Sequence, residues 1–450
     1  MHYEKLQDGT VKCIEDEIPF ELPEGWSWTR LGSLFSTITG STPSTKDASL
    51  YGDEYPFYKP TDLDAGFDVC VSEDTVSEKG YKNGRILPMY SVLVTCIGAT
   101  IGKTGYIKNS GICNQQINAI LPNTFILPEY TYFCMCSEFE QQQIWTNSSA
   151  TTLPILNKSK FDILFFPVPP KAQQTRTVER IKELLHFVEI IQQEKRTLQE
   201  TIKLTKSKIL DLAIRGKLVP QDPNDEPASV LLERIRSEKE ELIKQGKIKR
   251  DKKESVIFKG DDNSYYEKIG NDVTCIDDEI SFDIPDTWSW TRISTITDIT
   301  MGSSPKSQDI CNDNQYIEFH QGKIYFSKKT LMKSNQYTRK TTKLAPKQSV
   351  LLCVRAPVGE LNITDRDICI GRGLASIKSL GNINEEFIFY WLHPYKTYLV
   401  NQSTGSTFSA ITSDTVRKIL IPLPPLMEQK EILDKIQKVF TLFENLETVN

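Results

Sequence analysis

The sequence predicts a mixed α+β fold: two tandem α/β domains separated by long antiparallel helices in a pseudo-twofold arrangement. Three observations predict it. A set of landmarks occurs twice, in the same order, along the 450 residues. Each copy alternates short Val/Ile/Phe/Tyr runs with Gly, Pro, Asn and Asp, as strands joined by turns do. After each copy the apolar period lengthens to three or four residues, the spacing of a helix.

The repeat is explicit. Cys13-Ile14-Glu15-Asp16-Glu17-Ile18 answers to Cys275-Ile276-Asp277-Asp278-Glu279-Ile280, and Trp26-Ser27-Trp28-Thr29-Arg30 recurs unchanged at 288–292, both at an offset of 262. Gly40-Ser41-Thr42-Pro43 matches Gly302-Ser303-Ser304-Pro305. Ile97-Gly98-Ala99-Thr100-Ile101-Gly102 faces Val354-Arg355-Ala356-Pro357-Val358-Gly359 at an offset of 257, and each copy closes on Pro-x-Pro-Pro-x-x-x-Gln, at 167–174 and 422–429. The matched tryptophans and glycines read as scaffold for a core and its turns. The segments that differ, such as 44–92 against 306–349, are where two related domains would read different things. On this basis Asn114-Gln115-Gln116 stands against Ile370-Gly371-Arg372, and the amides of the first trio suit adenine edges.

The domains are placed at 1–170 and 265–421. Between them, 171–218 forms a long helix with an apolar stripe through Val178, Ile181, Leu185, Val188, Leu198, Ile202, Ile209 and Leu212. Pro169 and Pro170 stop the strand before it and Gly216 suits its end. About 44 helical residues span roughly 66 Å, too long to hide inside one domain, so the stripe needs a partner helix. The partner is a distal helix at 422–450, carrying Ile432, Ile436, Val439, Phe440 and Phe443. A polar connector at 219–264 holds a short helix at 228–244 and a basic run at 247–253. The distal helix stops at Asn450, the equivalent of Lys195, so pairing is expected between 171–195 and 426–450. A naturally short allele, a recombined one and a trimmed chain all fit that ending.

The net charge of −5 conceals an uneven distribution. Residues 1–165 carry 12 basic and 20 acidic side chains, residues 166–264 carry 21 and 17, and residues 265–450 carry 21 and 22. From Phe319 to Gly359 there is no acid but there are nine cations, with Tyr325, Phe326 and Tyr337 among them. Lys79 to Pro128 is likewise free of acid and carries five cations. Phosphates respond to a local patch, and two such runs at corresponding places point to nucleic acid rather than to a merely solvated face.

The arrangement resembles the Type I restriction–modification specificity subunits. The resemblance rests on Pro23-x-Gly25-Trp26-x-Trp28, the Gly40–Pro43 turn, Ala99-Thr100-Ile101-Gly102-Lys103, the run from Asn114 to Ile120, the Pro-Pro-x-x-x-Gln helix entries and Ile214-Arg215-Gly216-Lys217-Leu218-Val219-Pro220. It implies two target-recognition domains, each reading one half of a split double-stranded DNA sequence, with paired helices fixing the unread spacer. It also implies docking of two methyltransferase subunits, and of translocase–nuclease subunits for restriction. S-adenosylmethionine, ATP and magnesium are then expected on the partner subunits and no cofactor or metal on this chain. The candidate DNA contacts are Lys46, Lys59, Lys103, Lys306, Lys328, Lys329, Lys333, Arg339, Lys340, Arg355 and Arg372. A short or silent allele acting only as an interaction scaffold is the alternative.

Rival chemistries lack their parts. Gly98 to Thr104 has three residues between its glycines where a phosphate loop needs four, and the second copy replaces Lys103 by Glu360. Phe166-Pro167-Val168-Pro169-Pro170 supplies neither the Asn/Asp-Pro-Pro-aromatic loop of a methyltransferase nor a Gly-rich cofactor turn. Asp16 and Asp278 recur on a polar segment and read as solvated. The ten cysteines, irregularly spaced, and four isolated histidines suggest buried free thiols rather than disulfides or zinc. No run approaches 18 apolar residues and no signal peptide precedes the first strand, so a cytoplasmic protein is expected.

Overall fold

The computed structural model describes residues 2–5, 8–18, 20–149, 153–250, 254–403 and 410–448. The end of the basic run, 251–253, and the last two residues of the expected distal helix lie outside these. The chain divides into two compact units, 1–192 and 193–450, and the division falls within the long helix.

In the first unit a four-stranded antiparallel sheet has the order Thr37–Thr39, Ile117–Ile120, Val92–Thr95, Thr104–Tyr106. Val92, Leu93 and Val94 are all buried, so this strand is covered on both faces, which is why it reads as a continuous apolar run rather than an alternation. Tyr51–Tyr58 pairs with Asp74–Val76 and, in parallel, with Ile112–Cys113. Strand Ser27–Arg30 pairs with Phe165–Val168, placing Trp28 opposite Pro167 just before the long helix. Leu31, Val94, Ile120, Phe161, Phe166 and Val178 close one core. Each such fully buried side chain contributes roughly 1.5–3 kcal/mol.

The second unit repeats this plan. Thr297–Met301, Leu374–Ser379, Ser349–Cys353 and Leu361–Thr364 form a sheet of the same order. Ser289–Arg292 pairs with Leu420–Leu423, placing Trp290 opposite Pro422. Ile317–His320 runs parallel to Ile368–Ile370, as Tyr51–Tyr58 does to Ile112–Cys113. The anchors recur too. Arg30 binds Glu4, Glu17 and the Ile163 carbonyl, while Arg292 binds Glu267, Glu279 and the Lys418 carbonyl.

The long helix spans Lys171–Ile214. Gly216 adopts φ +65°, and the Lys217 N–H donates to the Leu212 carbonyl at 2.9 Å, a left-handed helix end that favours glycine. The connector is less polar in space than in sequence. Helix Ala228–Lys244 buries Ala228, Leu231, Leu232 and Ile235 in the second unit's core, and Ser255–Lys259 joins Tyr265–Ile269 and Asp272–Cys275 in a sheet.

The distal helix, Leu426–Thr448, corrects the expected pairing. Lys206 bridges to Glu447 at 3.1 Å, and Gln221 donates to Glu428. The two helices are therefore antiparallel, and the distal one ends opposite Lys206 rather than near Lys195. Sequence offset identifies equivalent residues, but antiparallel helices pair the start of one with the end of the other. Ile432 and Ile436 consequently share one core with Ala213 and Ile214, against which Ile209, Leu210 and Phe440 also pack. In the first unit, Leu184, Leu185, Phe187, Val188 and Ile191 remain exposed, the last at 63 %. The cysteines also depart from expectation: Cys96, Cys113, Cys353 and Cys369 are buried, whereas Cys13, Cys70, Cys136 and Cys275 are exposed.

Candidate nucleic-acid interface

One end of each four-stranded sheet carries the loops that differ between the copies. In the first unit the Gly40 N–H donates to the Ile117 carbonyl at 2.9 Å and the Ser41 N–H to the Cys113 carbonyl at 2.8 Å. In the second, the Gly302 N–H donates to Leu374 at 2.9 Å and the Ser303 N–H to Ile370 at 3.0 Å. The glycines are required by close approach. A Cβ on Gly40 would lie 2.0 Å from the Asn114 carbonyl oxygen, and one on Gly302 would lie 2.2 Å from that of Gly371.

These bonds fix the register and correct the sequence alignment by one residue. Residues 114–116 correspond to Gly371-Arg372-Gly373, not to 370–372, because Ile370 is held in its strand as Cys113 is. Gln115 therefore stands where Arg372 stands, and both are exposed. The hydroxyl at the matching position of the Gly-Ser turn touches each. Thr42 donates to Gln115 Oε1, and Ser304 Oγ accepts the Arg372 backbone N–H at 3.3 Å. Asn114, grouped with the glutamines as an adenine reader, is buried and turned inward. Its Oδ1 accepts the Gln116 N–H at 3.1 Å and its Nδ2 donates to Gln116 Oε1 at 2.9 Å.

The remaining candidates separate into engaged and open cations. In the first unit Lys59 pairs with Asp74, and Lys103 with Asp64 at 2.6 Å. Lys79, Lys82 and Lys108 of the acid-free stretch likewise meet Asp47, Glu78 and Asp68. Carboxylates outside the run thus neutralise four of its five cations; Arg85 instead donates to the Thr39 carbonyl, and Lys46 lies exposed on the loop after Pro43. In the second unit Lys329 pairs with Glu386 at 2.6 Å, and Lys328 approaches Glu447 at 3.5 Å. Both line a groove of about 820 Å³ with Lys206, Tyr390 and Phe440.

Lys306, Arg339, Lys340, Arg355 and Arg372 are exposed and make no ion pair among the described residues. The backbone brings their loops together at one sheet end. The Arg339 N–H donates to Asp309, the Thr342 hydroxyl to the Ser303 carbonyl, and the Val354 N–H to Gly373. Lys333 is also exposed, on the loop that Arg366 pins through the Met332 carbonyl. Sequence reasoning found the cations but not the Gln115–Arg372 correspondence. Its one visible signal is an arginine flanked by glycines.

The Type I restriction modification DNA specificity domain family matches residues 23–200 and 285–450. The chain belongs to this family. By that membership it is a specificity subunit of a Type I restriction–modification system. It is 22 % identical over 514 aligned positions to the EcoAI specificity subunit of Escherichia coli, covering 99 % of this chain and 82 % of that one. It is 36 % identical over 165 residues to the putative MjaX specificity subunit of Methanocaldococcus jannaschii, a match spanning 36 % of this chain and 39 % of that protein. The fold is similar to that of the HsdS subunit of Thermoanaerobacter tengcongensis, with TM-score 0.59 at 20 % identity, covering 96 % of this chain and 93 % of that one. It is also similar to a component of a type I R-M system solved for its complex assembly, with TM-score 0.69 at 22 % identity and coverage of 96 % and 94 %.

Two further features of this specificity subunit bear on chemistry. Among the described residues, His2, Glu15 and Glu21 bring ligand atoms within 4.8 Å of one another. Glu15 accepts from the backbone N–H of His2, which accounts for the approach. No helix among the described residues is long and apolar enough to cross a membrane.

Proposed function

We propose that this specificity subunit reads a bipartite double-stranded DNA target, one half with each sheet end, and performs no catalysis itself. The carrying observation is that one duplicated scaffold presents different exposed side chains at the same place, Gln115 in one copy and Arg372 in the other. Base edges specify sequence while cations on phosphates set register, and the open cations around Arg372 suit the second task. These exposed groups favour a DNA reader over a silent scaffold.

Two methyltransferase subunits, and translocase–nuclease subunits for restriction, are the proposed partners in the cytoplasm. They would carry S-adenosylmethionine, ATP and magnesium. The exposed stripe from Leu184 to Ile191 is the surface on which a partner helix would settle, since so much apolar area on one helix face is costly to leave in water.

Exchanging residues 1–165 with the same region of a related specificity subunit tests the reading. One half of the methylated sequence should change and the other should persist. A change in both halves together would show that the domains read DNA as one surface. The chain alone, given DNA, S-adenosylmethionine, ATP and magnesium, should show no turnover, and activity surviving stringent purification would refute the non-catalytic assignment.

A further inference from the structure

Gln115 and Arg372 occupy one structural position, fixed in both copies by the same two backbone hydrogen bonds from the Gly-Ser turn. Their surroundings prepare them differently. Arg372 stands on a Gly-Arg-Gly tip. A Cβ at residue 373 would lie 2.2 Å from the Gln321 carbonyl oxygen, so the site excludes a larger neighbour there. Ser304 engages only the Arg372 backbone, and the guanidinium makes no hydrogen bond among the described residues. In the first copy Thr42 donates to Gln115 Oε1, which orients the amide of an exposed residue, and Nε2 makes no hydrogen bond among the described residues. The carbonyl oxygen has a second lone pair, so the amide can still present a donor and an acceptor side by side.

These two side chains have different partners in the major groove. A glutamine amide matches the N6 donor and N7 acceptor of adenine, and a guanidinium matches the O6 and N7 acceptors of guanine. We infer that Gln115 specifies an A·T pair in one half-site and that Arg372 specifies a G·C pair in the other. Thr42 is then a positioning residue for the first contact. This assignment rests on the DNA-reading function proposed above and adds to it the base class read at each sheet end.

The test uses the full chain co-expressed with its methyltransferase subunits. The probes are genome-wide methylation mapping and binding to a random-sequence duplex library. Gln115→Arg should replace a specified adenine by guanine in one half-site only. Arg372→Gln should make the converse change in the other half. Each base preference should move by on the order of tenfold to a hundredfold. Arg372→Lys keeps the charge but loses the planar fork, so it should relax that one position while leaving the salt dependence of binding unchanged. Both positions are exposed, and thermal melting checks that each variant folds.

Unaltered motifs with intact binding in both variants would overturn the base assignment while leaving the DNA-reading function standing. Uniform weakening across all sequences in Arg372→Gln would overturn it as well, showing Arg372 to be a phosphate contact. No sequence-selective binding by the unaltered complex would remove the DNA-reading function itself, and this inference with it.

Discussion

Trp288 donates its indole N–H to Glu428 Oε2 at 2.7 Å, and at the equivalent place Trp26 donates to Gln173 Oε1 at 3.1 Å. One copy thus caps its tryptophan with a carboxyl and the other with an amide. Burial raises the Glu428 carboxyl above its ordinary value, although Trp288 and Gln221 donate to it and oppose the shift. A raised carboxyl binds its proton more tightly when folded. Its contribution is complete below the unfolded value and is lost as pH rises through the folded one. Glu428→Gln should therefore melt no lower than the natural chain at pH 7, with a flatter pH profile from about 4.5 upward. Glu428→Ala leaves the indole N–H unpaired and should cost about 1–3 kcal/mol in chemical denaturation.

Glu318 behaves in the opposite sense. Burial alone would raise its carboxyl, but Arg366, the Ser334 N–H and His320 together hold it down to about 2. Arg366 reaches both oxygens, at 2.6 and 2.7 Å. This stabilisation is present above the unfolded value of about 4.3 and is lost as pH falls toward about 2. Glu318→Gln should cost about 1.5–3 kcal/mol at pH 7 and remove the corresponding acid sensitivity between about pH 4.5 and 2. Urea midpoints across that range give the measurement.

The split among the cations predicts a split in salt dependence. Replacing Lys306, Arg339, Lys340 and Arg355 by Ala should flatten the slope of log affinity against log salt by ~0.9 for each phosphate that is no longer neutralised. Replacing Lys328 and Lys329 should leave the slope unchanged, because their charges already face Glu447 and Glu386. Binding titrations at several salt concentrations compare the two sets. The reverse result would move the DNA face to the groove beside the helices.

The long helix predicts how target spacing changes. Residues 193–201 are exposed and lie before the stretch that the distal helix covers. Inserting four residues after Gln199 adds about 6 Å, nearly one turn, without disturbing the paired segment. That length approaches two base pairs, so the methylated sequence should gain about two unread positions and keep both halves. Turning one reader by roughly 70° about the DNA weakens binding as well, at about 10.5 base pairs per turn. An unchanged spacer in the methylation map would show that the helix does not set the distance.

The repeat, the mixed fold and the long helix were legible because each is written in local chemistry. Paired tryptophans, Gly-Ser turns, Pro-Pro helix entries and a period of three to four residues act over a few positions and survive in both copies. The sequence by itself therefore determined what the elements are and that they occur twice. It did not determine which groups face one another. Only the backbone hydrogen bonds of Gly302 and Ser303 set Arg372 against Gln115, because identity between the copies runs out at the residues that differ. Only the tertiary structure brought Glu386 to Lys329 and Glu447 to Lys206, since a charge is neutralised by whatever folding places beside it, whatever the distance along the chain. Helical period likewise predicts a stripe but names no partner, and the antiparallel packing decided that the distal helix covers only the end of the long one, from about Lys206 onward.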